Sequence, residues 1–147
     1  MTTKQASAKF HIDEKEIRKR NKDGMIIGST KEHGLIIIPD ATKIIPSKAD
    51  VQAFLFQVLK YKNNKSIIIA QQLFPDVYKL KIIAEYLFLK GYIGKYDEFE
   101  DEKEFFNAVQ ITDSGMQLVF GSNAIQKFSS PIVITFAPTA QLNIVNL

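Results

Sequence analysis

The sequence contains no cysteine. That absence removes structural disulfides, thiolate zinc sites, iron–sulfur clusters and cysteine nucleophiles from consideration, and it fits a reducing compartment. Histidine is scarce, with only His11 and His33, far apart and without metal-ligand spacing. Each reads as a solvated or capping side chain. No uninterrupted apolar run approaches the roughly 20 residues needed to span a bilayer, and residues 1–9 lack the apolar segment of a secretory signal. A soluble cytoplasmic protein with no membrane partner is therefore expected. Arginine is absent after Arg20, so no guanidinium beyond that point can make a bidentate contact to guanine.

What is present is ordinary in bulk and uneven in detail. A chain of 147 residues, 46% apolar and 24% charged, suits one compact domain or a small domain with an added arm. Such a length buries about two-thirds of its unfolded surface. The net charge is +3, but residues 1–22 hold seven Lys/Arg against three Asp/Glu. Residues 60–90 hold six lysines against two carboxylates, and residues 95–104 hold six carboxylates against two lysines. Two basic zones and one acidic zone orient the molecule near a polyanion; as plain surface, all three are simply solvated.

The residue pattern predicts the following elements. Residues 1–9 are small and polar and read as a disordered tail. Ile12 to Arg20 reads as a short helix. Met25–Ile27 and Leu35–Ile38 read as two strands of a hairpin whose loop is too long for a tight turn. Ser47-Lys-Ala-Asp50 opens a helix with Val51, Phe54, Leu55, Val58 and Leu59 at helical spacing, ending near Tyr61. Ser66 caps a shorter helix, Ile67 to Leu73, stopped by Pro75; Asp76 caps a third from Val77 to Lys90, closed by Gly91. Tyr92-Ile93 and Glu104 to Ile111 read as strands flanking an acidic loop, and Thr112-Asp-Ser-Gly115 caps a last helix. Residues 132–136 and 141–145 are strand candidates, pairing either within the chain or with another subunit's sheet.

Two phrases carry a resemblance. Ile83-Ala-Glu-Tyr-Leu-Phe-Leu-Lys-Gly-Tyr-Ile93 and Val109-Gln-Ile-Thr-Asp-Ser-Gly-Met-Gln-Leu-Val119, at this separation, resemble the winged helix-turn-helix family of regulators. The first resembles the end of that family's recognition helix entering a wing strand. The second resembles the second wing strand entering the next helix. The likeness spans residues 47–120 and implies a winged-helix core at 47–121; with the residue pattern outside it, read as a β-rich extension at 10–46 and a β-strand arm at 122–147, the chain is expected to be α+β. The likeness implies a DNA-binding transcriptional regulator; that it acts as a dimer is expected from a second apolar stripe on the third helix and from the strand-like tail. Position by position, Asp76 to Lys90 becomes the recognition helix, with Tyr78, Lys79 and Lys81 facing the major groove and Lys62 and Lys65 holding phosphates.

Three features depart from that family, one of them the absence of arginine after Arg20. The wing tip is acidic, and the helix from Val77 has two apolar stripes: Leu80, Ile83, Ala84 and Leu87, then Tyr78, Ile82, Tyr86 and Leu89. A helix with two apolar faces is usually covered on both. The second stripe is thus the candidate interface for a second subunit or a protein partner. The alternative reading is accordingly a winged-helix interaction module without DNA binding.

Other chemistry is thin. Gly24 to Thr30 lacks the lysine of a phosphate loop, and residues 97–104 lack the glycine and alternation of a calcium loop. No serine elbow or histidine-bearing triad can be assembled. Neither enzyme activity, cofactor nor metal is expected. The basic stretch Ile17 to Lys22 reads either as a DNA-contacting arm or as a solvated helix face, with Arg18, Lys19 and Arg20 as its candidate contacts.

Overall fold

A computed structural model describes residues 1–64 and 76–121, with the backbone alone for 62–64. Among the described residues the chain is α+β, with six helices and one two-stranded sheet. They fall into two compact units, Met1–Val51 and the residues from Gln52 onward. The helix and strand candidates at 67–73, 132–136 and 141–145 lie outside the described residues.

The first unit opens with helix α1, Thr3–Phe10. Residues 3–9 of the expected disordered tail are helical because Thr2 and Gln5 form a reciprocal capping box. The Gln5 amide donates to Thr2 Oγ1 at 3.1 Å, and the Thr2 amide donates to Gln5 Oε1 at 2.9 Å. Ala6 and Phe10, one turn apart, are buried. His11 follows in the left-handed region at φ 56°, and the Ile12 amide reaches back to the Ser7 carbonyl. Helix α2, Glu14–Lys22, buries a single side chain, Ile17. It ends at Gly24, whose amide bonds the Asn21 carbonyl while that of Met25 bonds Arg20, the paired closure that a left-handed residue permits.

The predicted β-rich extension thus contains a helix, α2, beside a short hairpin, and the hairpin is displaced. Strand β1, Thr30–Glu32, pairs antiparallel with β2, Leu35–Ile37, with Thr30 opposite Ile37. The connection is the tight two-residue turn His33-Gly34, both at positive φ, as primed hairpin turns require. Met25 and Ile26, expected in a strand, are instead buried in the preceding loop. Ile26 joins Ala6, Phe10, Ile12, Ile17, Ile38 and Ile45 in one core cluster.

Helix α3, Lys48–Asn64, starts as predicted, with Ser47 Oγ accepting from the Asp50 amide at 3.1 Å, and runs three residues past Tyr61. Val51, Phe54, Leu55, Val58 and Leu59 are all buried. Helix α4, Val77–Leu89, is capped by Asp76, which accepts from the Tyr78 amide at 2.9 Å. The strand expected over Glu104 to Ile111 is not formed. Glu102–Ala108 is helix α5, because Asp101 Oδ1 caps the Glu104 amide at 2.8 Å and places Glu102 and Glu104 in a first turn that favours carboxylates. Phe105 and Phe106 are both buried, which a strand with alternating faces does not do on one side. Helix α6, Asp113–Phe120, follows.

The second unit is packed with aromatic rings. Phe106 lies 5.2 Å from Phe105, 5.3 Å from Tyr61 and 6.1 Å from Phe54 between centroids. Phe99 extends the group, 4.9 Å from Phe105. A smaller cluster joins Phe56, Leu59 and Phe120.

Candidate nucleic-acid interface

The two phrases that carry the family resemblance meet in space. Gly91 (φ 77°) ends α4, its amide bonding Phe88 while the Tyr92 amide bonds Leu87. The chain then crosses residues 110–112. The Gly94 amide donates to the Gln110 carbonyl at 2.8 Å, the Thr112 amide donates to Tyr92 at 3.1 Å, and Ile93 bridges Ile111. Thr112 Oγ1 donates to the Gly91 carbonyl at 2.5 Å and accepts from the Gly115 amide at 3.2 Å. Its one proton and its lone pairs thereby join the end of α4 to the start of α6. Gly115 completes the clasp by lacking a side chain: a Cβ there would sit 2.2 Å from the Tyr92 carbonyl oxygen.

Burial divides α4 into two faces. Leu80, Ile83, Ala84 and Leu87 are fully buried, as the first stripe requires. The second stripe is divided. Ile82 and Tyr86 are buried, whereas Tyr78 and Leu89 are 43% and 60% exposed. Burial also pushes the Tyr86 phenol upward, with Tyr92 adding to it. The solvent face therefore reads Tyr78, Lys81, Glu85, Phe88 and Leu89, spaced i, i+3, i+7, i+10 and i+11. It is aromatic and basic at the start, acidic in the middle and apolar at the end, over about 16 Å of helix.

Tyr78, Lys79 and Lys81 are thus brought together at one end of α4, Lys79 partly covered and Lys81 exposed. The Lys81 ammonium lies 5.8 Å from the Phe99 ring centroid. Lys62 lies in the last turn of α3, and Lys65 lies outside the described residues. Asp76 takes the Tyr78 amide at the start of α4, so a carboxylate stands at this helix end beside the lysines. The sequence did not single out Phe88, which is 45% exposed and stands edge-on to Tyr96 at 6.1 Å. Burial, and then Glu85, raise the Tyr96 phenol.

Both histidines are exposed, His11 at the end of α1 and His33 in the hairpin turn. Among the described residues no group of three or more His, Asp or Glu side chains is placed to hold a metal ion. No helix among them is long and apolar enough to cross a membrane. No family model, curated protein or solved structure matches the chain.

Proposed function

We propose that the chain is a winged-helix DNA-binding regulator acting as a dimer, with the N-terminal end of α4 meeting the duplex. The observation that carries this reading is the composition of the exposed face of α4: Tyr78 and Lys81 are open beside Lys79, while Ile82 and Tyr86, the centre of the competing apolar interface, are buried. Lysines there supply the salt-dependent attraction to phosphate, and Tyr78 offers a ring and a hydroxyl. The paired wing is reduced in this reading to the bridge at Ile93 and Ile111, with α5 in the wing's place. Lys79→Gln with Lys81→Gln should flatten the slope of log affinity against log salt for a mixed-sequence duplex by about two. Neutralising Asp97, Glu98 and Glu100 leaves the Asp101 cap intact and should tighten binding. Absence of binding at low salt would sink the proposal.

The interaction-module reading keeps one specific support, the exposed Phe88 and Leu89 at the far end of α4. It requires Leu89→Lys to abolish self-association or partner binding in sedimentation equilibrium while DNA affinity is unchanged.

A further inference from the structure

Helix α2 carries a charged stripe that the α4 reading does not use. Lys15, Arg18, Lys19 and Lys22 fall at i, i+3, i+4 and i+7, so they share one face. All four are exposed, and among the described residues none forms an ion pair with a carboxylate. The other basic residue of this helix is held differently. Arg20 is mostly covered, its Nε 3.1 Å from Glu16 Oε1 and its guanidinium donating to the Ile45 carbonyl at 2.7 Å. Arg20 therefore fixes the helix to its own unit and leaves the other four cations facing outward.

We infer that this stripe is a second binding surface for the phosphate backbone of duplex nucleic acid. It goes beyond the α4 reading and shares with it only the choice of ligand. Three arguments select that ligand. The only apolar side chain of α2, Ile17, is fully buried, so the helix has no face to insert among lipid chains. For the same reason the stripe has no aromatic or aliphatic anchor of the kind that dominates protein interfaces. The four cations span about 10 Å of helix, which corresponds to about three phosphates per strand counted along the duplex axis at about 3.4 Å each. Such contacts hold the backbone and read no bases.

The test uses the full chain and a labelled mixed-sequence duplex titrated over a range of salt concentrations. Replacing Lys15, Arg18, Lys19 and Lys22 by glutamine keeps helix propensity and should flatten the salt slope by about three. Lys15→Arg with Lys19→Arg and Lys22→Arg should keep the wild-type slope, which shows that charge and not shape is read. An unchanged slope in the glutamine variant overturns the inference. So does tighter binding to phosphatidylcholine–phosphatidylserine vesicles than to duplex at equal salt. The two surfaces fail separately. A slope lost only on replacing Lys79 and Lys81 leaves α4 standing and removes α2, and the reverse result does the opposite. No binding by the wild type at low salt removes both.

Discussion

The two units bury their helices with different materials. In the first, a nearly all-aliphatic cluster of Ile12, Ile17, Ile26, Ile38 and Ile45 is completed by Ala6 and one ring, Phe10. Its elements are ended by left-handed residues, two of them histidines. In the second, rings touch rings through Phe54, Tyr61, Phe99, Phe105 and Phe106, and a clasp of backbone hydrogen bonds ties α4 to α6. Aliphatic cores lose stability in proportion to the methyl groups removed, whereas an aromatic hub loses a large volume and several ring contacts at once. The second unit should therefore be the more sensitive to single substitutions.

The sharpest test sets the two cores against each other. Phe106→Ala should cost about 4 kcal/mol, against about 3 kcal/mol for Ile17→Ala, in denaturant unfolding of the full chain. Equal losses would erase the distinction. Next in size is the clasp. Gly115→Ala puts a methyl group into the Tyr92 carbonyl, which is backbone and cannot swing aside, and should cost about 3 kcal/mol. The left-handed positions then give effects of opposite sign. Gly91→Ala, with open space around its Cβ, should lose about 1 kcal/mol from conformation alone. His33→Gly, at φ 51°, should gain up to about 1 kcal/mol, read as a shift in thermal midpoint.

The smallest effect concerns Asp50 in the first turn of α3. Burial raises its carboxyl above 3.8, opposed by the Ser47 hydrogen bond and by Arg20. A carboxyl raised on folding contributes stability below pH 3.8 that is lost as pH rises through the folded value. Asp50→Asn should remove that decline, so thermal midpoints of variant and wild type, followed across roughly pH 3 to 7, should diverge in favour of the variant. A variant that declines in parallel with the wild type would assign the pH dependence elsewhere.

Sequence alone determined α3 and α4, because each combines a capping side chain with apolar residues repeated over three or more turns, and only a helix serves both. It also determined the closure at Gly91 and the cap at Thr112, since those conformations belong to those residue types. It did not reach α1 or α5. Each is about two turns long, too short for a period to stand out, and each is defined by a cap embedded in residues of its own kind: Thr2 among small polar residues, Asp101 among carboxylates. The candidate site divides in the same way. Tyr78, Lys79 and Lys81 were legible because their place follows from the start of α4. The burial of Ile82 and Tyr86, the exposure of Phe88 and the separation of Arg20 from the rest of its basic stretch were decided only in three dimensions. An apolar or charged side chain at a helix edge takes its environment from whichever elements pack against it, and sequence spacing carries no record of them.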